Sequence, residues 1–392
     1  MNAAWTGRER MAEPGGTASG AGPIVAAPAV GVPALLRPAH GAPAPEQPGA
    51  ASTRRLTGVD AARGLALIGM IVVNVGPAEA EGLLHRLYLL PYGRASVLFV
   101  VIAGIGMGWM LRPRHRAGRR WPVVVWRAAL LLLGGLALQR LTDDVSVILP
   151  LYGALFLLGL ALQHASRTLL LVLAGLMTVV GPVLYVVLLG GQQPAEPLEL
   201  GNPALDLLHG LALSGRYPLV TWCVPFLVGL WVARLDLRDT TVRRRLMVWG
   251  GVAAVVGFVL SQLSRSLLDR EGDVGLARLL TGAAHGQMPL WLISSVGGAL
   301  LVVAAFVALG SRAAWLTGPL GAAGRLALTL YVLHVLVLAV IKPDDGFTLA
   351  QGVAVSTAIS AAFVVLAVVW QRLVGMGPLE RLLRGSWLRR AR

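Results

Sequence analysis

The sequence predicts an all-α membrane protein, a polytopic bundle of about ten transmembrane helices with its N-terminus and C-terminus in the cytoplasm. Three observations carry that reading. The chain of 392 residues is 56% hydrophobic, with a mean hydropathy of +0.71. Only 14% of its residues are charged, against roughly 25% in ordinary soluble domains. Apolar runs of about 20 residues recur along it, the length needed to cross roughly 30 Å of hydrocarbon.

Each region in turn supports this organisation. Residues 1–53 are rich in Pro, Gly and Ala, as in GAPAPEQPGAAS, and cannot bury a core. They are expected to form a disordered cytoplasmic tail. The prolines in GPIVAAPAVGVPALL argue against a helical signal-peptide core. The bundle is expected over 54–376, followed by a basic cytoplasmic tail at 377–392. Ten apolar stretches read as spans: 58–76, 95–111, 122–139, 145–163, 168–190, 217–233, 246–264, 289–310, 320–341 and 352–373.

Loop charge orients them. Arg112, Arg114, Arg116, Arg119 and Arg120 follow the second span, and Arg234, Arg238, Arg243, Arg244 and Arg245 follow the sixth. With ten spans these share one side with Arg54, Arg55 and the C-terminal arginines. The acids Glu79, Glu81, Asp143, Asp144, Glu196, Glu199, Asp206, Asp344 and Asp345 fall on the other. The positive-inside rule then places both termini in the cytoplasm.

The net charge of +15 comes almost wholly from arginine, Lys342 being the only lysine. Topology and anionic headgroups account for it without nucleic acid. The richness in Arg, Ala and Gly suggests a high-GC bacterium, so the spans are expected in a bacterial cytoplasmic membrane. Cys223 is the only cysteine, so neither an intrachain disulfide nor a cysteine-based zinc site is available, and no metal cluster stands out. Closely spaced glycines such as Gly104 and Gly108 read as helix-packing positions. Tyr217 and Trp222 read as part of an interfacial aromatic belt.

The first span, GVDAARGLALIGMIVVN, carries polar residues. Asp60 and Arg63 are three apart, so they share a helix face and can pair. Asn74 lies eleven residues beyond Arg63, about three turns, and returns to nearly the same face. This stripe must face protein or water. Either Asp60 and Arg63 anchor the cytoplasmic end while Asn74 bonds a neighbouring helix, or the stripe lines a functional cavity.

D-A-A-R-G-L-A-L, with Asn fourteen residues after the Asp, resembles the first-span signature of the heparan-α-glucosaminide N-acetyltransferase-like membrane proteins, and equally that of the YeiB-like (DUF418) bacterial proteins. GRASVLFVVIAG (93–104), YPLVTWCVPFLVGLWVARLDL (217–237) and GRLALTLYVLH (324–334) resemble further blocks of that wider group. The resemblance runs from about residue 54 to the C-terminus. It implies transfer of an acetyl group from cytosolic acetyl-CoA to an amino sugar across the membrane, through a histidine. The family histidine follows the Asn by eleven residues, as His85 follows Asn74. An Asp then follows in the family by about ten residues; here Ala95 stands near that point, with Arg94 beside it.

On this reading His85, Asp60 and Asn74 are the candidate catalytic residues. Arg63 and Arg127 are candidates for the CoA phosphates, because acyl-CoA chemistry needs cations there. Arg94 and His334 are candidates for binding the acceptor, an external or lipid-linked saccharide or small molecule. Histidine suits proton transfer near neutral pH, yet His85 also reads as a solvated loop residue, and His334 as a hydrogen-bonding partner of a neighbouring helix. Acetyl-CoA or another acyl-CoA is the expected co-substrate, membrane lipid the expected surround, and a homodimer is compatible with the sequence. The alternative is a transporter or lipid-handling protein on the same scaffold, without acyl transfer.

Overall fold

The computed structural model describes residues 55–77, 82–112, 120–142, 145–189, 198–268, 275–282 and 286–385. The expected tail at 1–53, the loop acids Glu79, Glu81, Asp143, Asp144 and Glu196, and several loop and terminal arginines lie outside them. The described residues are mostly helical and contain no strand.

The helices are α1 (Thr57–Val75), α2 (Leu83–Tyr88), α3 (Arg94–Leu111), α4 (Trp121–Gln139), α5 (Leu149–Ala161), α6 (Arg167–Leu189) and α7 (Ala204–His209). Then come α8 (Leu219–Val232), α9 (Thr240–Leu268), α10 (Pro289–Leu309), α11 (Ala314–Arg325), α12 (Ala327–Ile341), α13 (Leu349–Leu373) and α14 (Pro378–Arg384). Among the described residues seven helices are long and apolar enough to cross a membrane: α1, α3, α4, α6, α9, α10 and α13. Two bent pairs raise the number to nine. The segment Ala204–Ser214 meets α8 at 62°, and α11 meets α12 at 76°.

All ten expected spans therefore contain helix, but not all as single rods. The expected fourth span, 145–163, holds only the 13-residue helix α5. Its missing length is irregular chain buried in protein: Val145, Val147 and Ile148 are all enclosed. Non-helical backbone at membrane depth must be satisfied internally. The Gln139 side chain does this, donating to the carbonyls of Thr142 (2.8 Å) and Val145 (3.0 Å) and accepting from Val147 N–H (2.8 Å). The segment 377–392, expected as a tail, contains α14, which packs on α4 and α12.

The central helix is α1, packed by α3, α10, α11, α12 and α13. Two-thirds of it is enclosed (67%), against 22% for α9 and α13. The outer helix α9 turns Val248, Trp249, Val252, Val255 and Val259 outward, as a lipid-facing surface requires. These features define a multi-pass helical membrane protein.

Small residues set the closest crossings. A Cβ on Gly64 would strike the Leu320 carbonyl, and one on Gly324 the Asp60 carbonyl, so α1 and α11 meet backbone to backbone. Gly104 and Gly229 do the same for α3 and α8, with Gly108 against Ala233. This is the packing role expected of Gly104 and Gly108, because close backbone approach strengthens helix association in lipid. The aromatic-belt reading of Trp222 is corrected: it is 1% exposed and meets Tyr217 (5.0 Å) and Trp291 (5.7 Å) edge-on in the core.

Gly324→Val should cost about 1–3 kcal/mol by overpacking, read as a lower melting midpoint of the detergent-solubilised protein. Gly175→Ala, where nothing lies within 4 Å, should leave the midpoint unchanged or raise it slightly. Equal effects at the two positions would refute the crossing described here.

Candidate functional site

The site begins at the polar end of α1. Asp60 lies in the first helical turn, where the helix dipole favours a carboxylate. It is 3% exposed. Arg55 grips it with two hydrogen bonds, Nε to Oδ2 at 2.5 Å and Nη2 to Oδ1 at 2.9 Å. Arg63 donates to the same carboxylate from one turn further along, Nη1 to Oδ1 at 2.9 Å. The same Nη1 lies 3.5 Å from the Gly324 carbonyl. The expected Asp60–Arg63 pair thus forms, with Arg55 as a third member.

Arg63 is one wall of a cavity of about 680 Å³. Arg55, Arg127, Arg325 and Arg384 line it as well, together with Gln371 and Glu380. Beyond them the lining turns apolar and aromatic, with Met70, Phe99, Ile102, Leu131, Tyr152 and Tyr331. Met70 is seven residues past Arg63 on α1, about 10 Å deeper at 1.5 Å per residue. The cavity therefore has a cationic end and an apolar interior, which suits a ligand with an anionic head and a less polar arm.

Glycine opens it. Gly106 on α3 lies where a side chain would approach Arg63 Nη2, at 3.9 Å from a built Cβ. The break between α11 and α12 falls in the lining, at Gly324, Arg325, Ala327 and Leu328. It exposes the first amides of α12, and Glu380 of α14 accepts from two of them, Leu328 N–H (2.8 Å) and Thr329 N–H (3.0 Å), and from the Thr329 hydroxyl (2.5 Å). Orphan N–H groups at a helix start need such a partner. Arg325 Nε donates to Gln371 Oε1 at 2.8 Å, tying α11 to α13. Arg127 Nε donates to the Leu383 carbonyl (2.9 Å), and its Nη1 lies 2.8 Å from Met110 Sδ, so α14 also closes on α4. Arg127 sits about a turn and a half inside the third apolar stretch, deep enough to need a partner or to snorkel to the cytoplasmic edge; that it bonds α14 was not legible in the sequence.

The remaining sequence candidates are dispersed. Asn74 Nδ2 and His334 Nε2 are 2.9 Å apart, joining α1 to α12. His334 is fully buried, and its ring meets the cavity-lining Tyr331 edge-on at 4.9 Å. His85 is on α2, 5% exposed, with Nε2 at 3.4 Å from the Pro77 carbonyl. It is neither a solvated loop residue nor part of the cavity lining. Its helix turns Leu83, Leu84 and Leu87 outward, with Leu90 exposed just beyond it, and is held by Tyr88, whose hydroxyl donates to the Gly76 carbonyl at 2.8 Å. Burial raises the Tyr88 hydroxyl above the usual tyrosine range, so it keeps its proton and its bond. Arg94 donates to the Leu90 carbonyl at 3.2 Å and stands over the Phe258 ring at 5.9 Å, away from the cavity.

Sequence reading missed Arg325, Gln371, Glu380, Tyr152 and Tyr331 as site residues. The signal available was weak: an arginine beside a glycine at a helix break, and tyrosines within otherwise aliphatic spans.

Residues 231–389 match the family described as "Protein of unknown function (DUF418)". The matched region runs from the end of α8 through α14 and includes Arg325, Tyr331, His334, Gln371 and Glu380, one side of the cavity. A search of curated proteins finds no match.

Asp60→Asn should destabilise the protein by about 3 kcal/mol, because removing one partner of a buried pair strands the other. Arg55→Ala, whose side chain is 63% exposed, should cost about 1 kcal/mol or less. Chemical denaturation in mild detergent checks the order; a larger loss in Arg55→Ala would refute it.

Proposed function

We propose that this chain is a membrane-embedded acyltransferase, which passes an acetyl or other acyl group from cytosolic acyl-CoA to an external or lipid-linked acceptor such as a sugar. The observation that carries the reading is the cavity that Arg63 lines. Its arginines suit the CoA phosphates, and its apolar interior suits the pantetheine arm and the acyl group. The acceptor nucleophile must lose a proton while the thioester carbon–sulfur bond breaks and CoA leaves as the thiol. A histidine is the side chain suited to that proton. Of the two candidates, His334 stands against a cavity wall through Tyr331, whereas His85 lies apart from it.

The arginine end faces the cytosol of a bacterial cytoplasmic membrane on this reading, and the chain crosses ten times. Helix α5 supplies about 20 Å at 1.5 Å per residue. The buried stretch 145–148 adds about 13 Å if extended, and together they reach the thickness of a hydrocarbon core. In a Cys223→Ala background, single cysteines at Gln163 and Asp206 should label from opposite sides, Gln163 from the cytosol. Labelling of both from one side would refute the topology.

Bent helix pairs favour a second reading. Broken spans that line a cavity are a feature of transporters, and the same cavity would take a phospholipid or another anionic amphiphile. Purified protein in nanodiscs with radiolabelled acetyl-CoA separates the two. The acyltransferase should release CoA, with release at least about 100-fold lower in Arg63→Ala and His334→Ala. Unchanged release in His334→Ala together with loss in His85→Ala would assign the proton transfer to His85. Substrate flux in proteoliposomes without any CoA requirement would replace the enzyme by a carrier.

A further inference from the structure

The apolar part of the cavity contains two phenols that its hydrocarbon lining does not explain. Tyr152, on α5, is 6% exposed and lines the cavity. Its ring is fixed edge-on against Phe99 at 6.2 Å and tilted against Phe156 at 6.5 Å. Its hydroxyl has no hydrogen-bond partner among the described residues. A buried hydroxyl left unpaired is costly, and phenylalanine would give the same ring packing without that cost.

Tyr331, on α12, is 2% exposed and lines the same cavity. Its oxygen accepts from Ile148 N–H at 3.2 Å, which leaves its own hydrogen to donate. No acceptor for that hydrogen occurs among the described residues. Both phenols border one piece of wall. Ile148 also lines the cavity, and Tyr152 follows it by one helical turn, its N–H on the Ile148 carbonyl at 3.4 Å. Tyr331 is further braced by the His334 ring, itself bonded to Asn74.

We infer that Tyr152 and Tyr331 form a carbonyl-binding subsite beyond the arginines, taking the thioester carbonyl of an acyl-CoA. The inference rests on the acyltransferase reading and adds to it the residues that touch the reacting carbonyl. A chain without an acceptor at this depth, such as the hydrocarbon of an alkyl phosphate, would leave both hydroxyls unpaired; an acyl thioester supplies one. When the acceptor's oxygen or nitrogen adds to the carbonyl carbon, the π pair moves onto the carbonyl oxygen, where two O–H donors await it. Collapse of that adduct restores the C=O bond and expels the CoA thiolate, which takes up the proton that the acceptor lost. Fixed donors aimed at developing negative charge are among the larger contributions available to catalysis.

The test compares acetyl-CoA with S-ethyl-CoA, which keeps the phosphates and the arm but has CH₂ in place of the carbonyl. The full chain in nanodiscs should bind acetyl-CoA about 5–10-fold more tightly, the size of one or two neutral hydrogen bonds. Tyr152→Phe and Tyr331→Phe should each reduce that preference, and the double variant should erase it. Each single change should also lower CoA release by about 100-fold. Tyr152→Phe should leave the melting midpoint unchanged or higher, since it removes an unpaired hydroxyl, which separates loss of recognition from loss of fold. Arg63-dependent acetyl-CoA binding with the preference intact in the double variant would overturn the subsite and leave the acyltransferase reading standing. Absence of binding for both CoA compounds to the wild-type protein would overturn both.

Discussion

The buried carboxylate of Asp60 is the interaction on which the rest of the site depends. A charge inside a membrane protein persists only with partners close by, and Asp60 has two arginines, one on each side along the chain. Its backbone carbonyl lies against Gly324, so the helix that carries it can sit directly on α11. One residue thus fixes the Arg63 guanidinium at the cavity wall and marks the crossing of α1 with the broken α11–α12 pair. The bend after Arg325 follows the same logic. It frees amides at the start of α12, and Glu380 from the C-terminal helix satisfies them.

A cavity assembled this way draws its walls from distant parts of the chain. Cations come from α1, α4, α11 and the end of α14, while the apolar interior comes from α1, α3, α4, α5 and α12. Anchoring α14 through Glu380, and through the Leu383 carbonyl that accepts from Arg127, places the C-terminal segment at the cationic end. The short helix α5 has a matching origin. The chain before it is irregular, and Gln139 holds that backbone so that Tyr152 and Ile148 reach the cavity.

Part of this organisation was legible in advance. Asp60 and Arg63 share a face because they are three residues apart, and they do pair. Arg127 sits deep enough to need a partner or to snorkel, and it bonds the Leu383 carbonyl. A histidine inside an apolar span calls for a hydrogen-bond partner on a neighbouring helix, and Asn74 supplies it for His334. The spacing that links Asn74 to His85 does not translate into proximity at the cavity. Across the Gly76–Pro77 junction the chain leaves α1, and α2 sets His85 against the Pro77 carbonyl instead.

By itself the sequence determined the helical membrane class, the arginine-rich loops and the polar stripe of the first span. These follow from local quantities: mean hydropathy over about 20 residues and the 3.6-residue period. Tertiary structure alone decided which polar groups meet across different helices. In water a helix shows its packed side by being apolar there; in lipid both sides are apolar, so the pattern does not reveal a helix's neighbours. Asn74 and His334 are separated by 260 residues, and Tyr152, Tyr331 and Arg63 come from three different helices. The close glycine crossings, and the irregular backbone before α5 that Gln139 holds, bring them round one cavity.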